Sequence, residues 1–137
     1  MPRNKGQASL EMLIVLAAAI SFLVVFLSAA GDFSNKALER SELQTQKTAF
    51  NDIVYNLNLV NSMSTGSAYQ RKVTLVEKTQ IQLHNEVATM TFNLLNKTAN
   101  WTAQIPNQID AQLDLKQGEN TLVFQKETGK ITINLAP

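Results

Sequence analysis

LEMLIVLAAAISFLVVFLSAAGDF, residues 10–33, decides how the rest of this chain is read. Between Met12 and Gly31 it carries no charged residue, and its polar side chains are Ser21 and Ser28 alone. About 20 residues of α-helix, at about 1.5 Å per residue, span the roughly 30 Å hydrocarbon layer of a bilayer. The run is therefore predicted to be a membrane-length helix. One residue ahead of it stands a carboxylate, Glu11. On insertion scales an ionised acid at the centre of such a helix costs about 2.5–3.5 kcal/mol, and less near the interface. Glu11 needs a partner or a role.

The charges ahead of the run, Arg3 and Lys5, are both positive. By the positive-inside tendency they stay cytoplasmic and send the C-terminal bulk outward. The chain has 137 residues, enough for one small domain plus an anchor. Its formal net charge is +1, from 12 Lys+Arg against 11 Asp+Glu, and no basic cluster exceeds Arg71-Lys72. That balance argues against a polyanion-binding surface, so no nucleic acid is expected. Without cysteine, no disulfide framework or thiolate metal site is possible.

From Asp32 to about Met63 the helix is predicted to continue. Phe33, Ala37, Leu38, Leu43, Phe50, Ile53, Val54, Leu57 and Val60 recur mostly at three- and four-residue steps. No proline occurs between Pro2 and Pro106, and Gly31 costs about 1 kcal/mol without ending a well-packed helix. About 55 residues form one rod roughly 80 Å long. Such a rod needs a globular head on one half and other molecules on the rest.

The stretch Ser62-Met63-Ser64-Thr65-Gly66-Ser67 ends the helix, and beyond it the period changes to two. Strands are expected around Val73–Leu75 (with Glu77 at its limit), Ile81–Leu83, Val87–Leu94, Trp101–Ile105, Ile109–Leu115, Thr121–Gln125 and Lys130–Leu135. Lys126-Glu127-Thr128-Gly129 reads as a hairpin turn, and Lys116-Gln117-Gly118-Glu119-Asn120 as a similar one. The fold class is α+β: a long helix, apolar in its first half and amphipathic in its second, then a small antiparallel sheet or sandwich. A head of about 65 strand-forming residues has a thin core and gains from resting on its own helix.

Gln7-Ala8-Ser9-Leu10-Glu11, preceded by a short basic leader ending in Lys5-Gly6, resembles the class III signal peptide of the archaeal type IV pilin family. The likeness covers roughly the first 30 residues, and its order of basic leader, Gly, Gln, Ser, Glu and apolar helix is strict. The head carries no motif of that family. The resemblance implies a leader, residues 1–6, cut by a prepilin peptidase between Gly6 and Gln7. It implies a long helix over 7–63, with a transmembrane or filament-core segment at 12–30, and a head over 64–137. It implies a helical homopolymer, assembled from the cell membrane by a pilus assembly ATPase and a platform membrane protein. The product is a surface filament for adhesion or attachment. Bacterial pilins usually have Phe where this chain has Gln7, and archaellins usually lack the Gln-Ser-Glu pattern, so both are weaker likenesses.

Within that frame Glu11 is expected to pair with the Gln7 amine of a neighbouring subunit, a charge-assisted contact in a desolvated core. Cyclisation of Gln7 to pyroglutamate would erase that amine. The plainer alternative leaves Glu11 at the membrane interface, favoured by the helix N-terminal dipole. A rival reading of the whole segment is an ordinary signal peptide, with Ser28-Ala29-Ala30 as its cleavage site and residues 31–137 as a secreted or anchored binding domain. A third keeps the pilin processing but makes the chain a minor or tip subunit.

No enzymatic activity, cofactor or metal site is expected. His84, the sole histidine, reads as a solvated strand residue. Asp110 and Asp114 read as two acids on one strand at about 13 Å, too far apart to act on one bond. No Gly-rich phosphate loop, nucleophile elbow or metal-ligand spacing is present. Phe22, Phe26 and Phe33 fall at helical spacing and read as packing residues. Asn96-Lys97-Thr98 and Asn100-Trp101-Thr102 both fit the N-glycosylation pattern, so Asn96 and Asn100 are candidate glycan acceptors in a loop between strands. The alternative is a polar turn with Trp101 reaching back into the core.

Overall fold

The computed structural model describes residues 4–94, 97–105 and 109–136, with side chains described from Ser9 onward. It has the α+β architecture expected: one helix, α1 (Asn4–Ser62), then seven strands. These are β1 (Ala68–Leu75), β2 (Thr79–His84), β3 (Val87–Leu94), β4 (Lys97–Gln104), β5 (Ala111–Leu115), β6 (Gly118–Glu127) and β7 (Lys130–Leu135). Two compact units divide the chain, Met1–Ser41 and Glu42–Pro137.

In the first unit the straight-chain and small residues of 9–31 (Leu, Met, Ala) favour helix, and no proline interrupts them. In the second unit, α1 supplies one wall of the core. Gln46, Ala49, Phe50, Ile53, Leu57 and Val60 are buried and recur every three or four residues, the spacing of one helix face. Each fully buried Ile, Leu or Phe contributes about 1.5–3 kcal/mol. Carbonyls of the last turn find donors at the end of the helix. Met63 N donates to Val60 O at 3.1 Å, and Ser62 Oγ to Leu59 O at 2.6 Å. The last turn holds no basic residue of its own, but Lys126 of β6 brings its ammonium to Asn61 O. A cation there suits the helix C-terminal dipole.

All strand pairs are antiparallel, in two sheets of order β1-β6-β7 and β4-β3-β2-β5. The inward residues of both sheets and of α1 form one core cluster, including Leu75, Ile81, Met90, Phe92, Leu115, Leu122 and Phe124. The β2–β3 turn places Asn85 and Glu86 at φ 47° and 66°, the twin positive values of a type I′ turn. At the β6–β7 turn, Gly129 takes φ 80°.

Several local expectations are corrected. The first strand starts earlier than Val73, at Ala68, and stops at Leu75, so Glu77 lies outside it. The fourth runs from Lys97 to Gln104, because all eight positions pair with β3. The fifth begins at Ala111, leaving Asp110 ahead of it. Lys116-Gln117-Gly118-Glu119-Asn120 does not close a hairpin. β5 pairs with β2, whereas β6 pairs with β1 and β7, so the chain changes sheets here. Gly118 takes φ 95°, and buried Asn120 braces the corner. Its Oδ1 accepts from Lys116 N at 3.1 Å, and its Nδ2 donates to Lys116 O at 2.7 Å and Gly118 O at 3.1 Å.

Candidate functional site

The apolar stretch of α1 is a surface without a cover. From Leu10 to Leu27 every large hydrophobic side chain is more than half exposed, from 54% at Leu16 to 76% at Met12. Contiguous exposed apolar patches on soluble monomers rarely exceed a few hundred Å² and mark interaction sites when they do. This one is long and apolar enough to cross a membrane, and none of it is buried. It is apolar all round the helix, as lipid or a ring of neighbouring helices requires and a one-sided partner does not. Its polar chemistry is contained: Ser21 Oγ donates to Ala17 O at 2.8 Å, within the helix. Phe22 and Phe26 stack with ring centroids 6.2 Å apart, and Phe33 is 77% exposed. The sequence reading of these aromatics as packing residues finds no packing partner beyond that stack among the described residues.

Glu11 and Ser9 sit on this helix with exposed side chains. Among the described residues Glu11 makes no ion pair. Lys5, Gly6 and Gln7 lie in the helical backbone of α1, and their side chains fall outside the described residues. A helix-borne carboxylate at the head of an uncovered apolar cylinder can select a cationic partner and fix how far one helix slides along another.

The chain matches no family model, no curated protein and no solved structure. Its residues alone decide what it can do.

The other predicted residues separate. Asn96 lies outside the described residues. Asn100 is not in a loop: it is an exposed residue in the middle of β4. Trp101 does reach inward, its ring 4.7 Å from Phe92 at 57°. His84 is exposed as expected, yet it is not isolated. Its Nδ1 lies 3.2 Å from Asp110 Oδ1, and its Nε2 is 2.8 Å from Asn85 Nδ2. With Asn85 Nδ2 donating to Nε2, Nδ1 is the ring nitrogen left to donate to Asp110. Asp114 is instead held by Gln80 Nε2 at 3.1 Å. No group of three His, Cys, Asp or Glu side chains able to hold a metal occurs among the described residues.

Sequence reasoning missed Gln46, a buried amide on the inward face of α1. The signal was present: position 46 lies on the stripe of Phe50, Ile53 and Leu57, where a polar residue must be matched by a partner. It also missed the His84–Asp110 contact, which the pairing of β2 with β5 creates from residues 26 apart.

Proposed function

We propose that this chain is a structural subunit of an archaeal type IV pilus-like surface filament. In this reading residues 12–30 hold it in the cell membrane before assembly and line the filament interior afterwards. The head is displayed outside for adhesion or attachment. The observation that carries the proposal is the wholly uncovered apolar cylinder of α1, headed by Gln7, Ser9 and Glu11, on the same unbroken helix whose later turns form the wall of the head's core. A simple anchor needs neither the acid at its start nor a helix that runs on into a folded domain.

The proposed sequence starts with a prepilin peptidase cutting between Gly6 and Gln7. Glu11 then meets the new amine of a neighbouring subunit, and transfer from lipid to filament exchanges one apolar environment for another at little hydrophobic expense. The ordered, desolvated Glu11–amine contact fixes axial register. An assembly ATPase and a platform membrane protein drive the transfer. The mature N-terminus, read by mass spectrometry on protein from membranes or filaments, tests the proposal. A start at Gln7 is expected. A start at Gly31 would identify a cleaved secretory signal and end the filament reading.

A further inference from the structure

The two sheets have four outer strands, and three are guarded among the described residues. β5 and β7 approach each other to within 8 Å at Cα, so each crowds the space beside the other's edge. β1 alternates Tyr69, Val73 and Leu75 inward, and Arg71 shares that face. Asp52 pins Arg71 there, Nε to Oδ2 at 2.9 Å and Nη2 to Oδ1 at 3.2 Å. Next to it Lys72 pairs with Glu119 at 2.7 Å. An inward-pointing charge and an edge lysine are the devices by which natural sheets refuse edge pairing.

β4 has neither. KTANWTAQ carries one charge, Lys97, at its first position, and pairs with β3 at all eight positions without a bulge. Its open side can be assigned. Ile105 N donates to Glu86 O at 2.8 Å, so residue 105 turns its backbone toward β3. Bonding direction alternates along an antiparallel strand. Ala99, Trp101 and Ala103 therefore face β3 with their N–H and C=O groups, while Thr98, Asn100, Thr102 and Gln104 turn theirs to the open side.

The geometry points to β4 as a pairing edge on which a second copy of this chain adds its own β4, antiparallel, about a two-fold axis at Trp101. This register sets Thr98 opposite Gln104 and Asn100 opposite Thr102, so all four open residues exchange backbone bonds. It sets Ala99 opposite Ala103 and Trp101 opposite Trp101, small beside large on the inner face, with no like charges opposed. A slip of one residue puts inner side chains on the outer face. A slip of two in either direction strands Thr98 or Gln104. The inference needs only the folded head and holds whether or not the chain builds a filament. A glycan on Asn100 is the rival cover. It rises from the outer face of the sheet and leaves the edge amides unpaired.

The chain has no cysteine, so introduced thiols report cleanly. Full-length Ala99→Cys and Ala103→Cys chains, made without glycosylation and held in excess detergent micelles, are oxidised separately and as a mixture. Residues 99 and 103 oppose each other as a non-hydrogen-bonded pair, Cα about 4.5 Å apart, within disulfide reach. In either variant alone the thiols sit four residues out of register, about 13 Å apart. The mixture is expected to give at least about tenfold more disulfide dimer than either variant alone. Asn100→Cys with Thr102→Cys, on the exposed face, supplies a second pair that does not touch the core and is expected to behave the same way. Thr102→Pro removes an outward N–H, leaves the bonds to β3 intact, and is expected to abolish the Ala99→Cys/Ala103→Cys cross-link. Equal cross-linking in all three samples, none in either pair, or cross-linking that survives Thr102→Pro overturns the proposal. So do Ala99→Cys and Ala103→Cys chains produced in the native source, if they carry a glycan on Asn100 and their mixture does not cross-link.

Discussion

Gln46 Nε2 donates to Thr79 Oγ1 at 2.5 Å, while Gln46 Oε1 accepts the backbone N–H of Val76 at 3.0 Å. One buried amide thus ties α1 to the crossing where the chain leaves the three-stranded sheet for the four-stranded one. The amide orientation is fixed, since Val76 N–H can only donate. Gln46→Leu keeps the shape and leaves Val76 N–H without that acceptor, whereas Thr79 still donates to Glu77 O at 2.8 Å. The expected loss is about 1–3 kcal/mol. Each kcal/mol lowers the melting temperature of a domain this size by about 4–8 °C. Trp101, the only tryptophan, lies in the head, so its fluorescence melt reports that unit alone.

Two leucines of the same helix separate stability from function. Leu57 is fully buried and Leu23 is 54% exposed. Leu57→Ala is expected to lower head stability by about 2–5 kcal/mol in the Trp101 melt. Leu23→Ala is expected to move that melt by no more than about 0.5 kcal/mol. A large effect of Leu23→Ala would mean that the apolar segment contributes to the stability of the head.

The architecture was legible because two periods are written into the chain. Steps of three and four mark Phe50, Ile53, Leu57 and Val60, and alternation marks Ile81, Leu83, Met90 and Phe92. Strand partners were not legible. A Gly-containing loop such as 116–120 looks the same whether it closes a hairpin or moves the chain to another sheet, and only the pairing of β5 with β2 decides. β1 was hidden by Gln70, Arg71 and Lys72, polar residues at an edge where one face meets water. The residues of the candidate site, Gln7, Ser9 and Glu11, stood out in the sequence because an acid beside a membrane-length run is chemically conspicuous. What they touch was not legible, since their proposed partners belong to other copies.

Arg71→Thr should open the guarded edge. Asp52 loses its two-bond partner, and β1 becomes a second strand edge without an inward charge. Concentration-dependent association that Thr102→Pro does not remove is the expected outcome, read by light scattering. The hydrogen bond and charge of Asp52 hold the Arg71 guanidinium above its ordinary range. A raised basic group contributes below its unfolded value and is lost only above it, so the guard should persist through pH 10. Salt, which screens exposed pairs, should weaken it instead.

Gly6→Val should stop processing, since a branched side chain at the cut bond crowds a peptidase site that expects none. The uncut chain should accumulate in the membrane with Arg3 and Lys5 still attached, visible as a retained leader mass. Filaments built from uncut chain would contradict the proposed order of cleavage before assembly.

Glu11→Ala should separate insertion from assembly. Removing the acid makes the apolar helix easier to place in lipid, so membrane insertion and cleavage at Gly6 should proceed as in the parent chain. In the proposed filament the same change would leave a neighbour's Gln7 amine buried without its counter-charge. Breaking one side of a buried pair costs about 3–5 kcal/mol. Since about 1.4 kcal/mol is tenfold, filament yield should fall by at least about a hundredfold while the head's Trp101 melt stays unchanged. Glu11→Gln, which keeps the shape and a hydrogen-bonding group but not the charge, should fail nearly as badly if charge sets the register. Normal filaments from Glu11→Ala, counted by electron microscopy beside equal amounts of processed subunit, would remove the role assigned to Glu11 and leave it an interfacial acid.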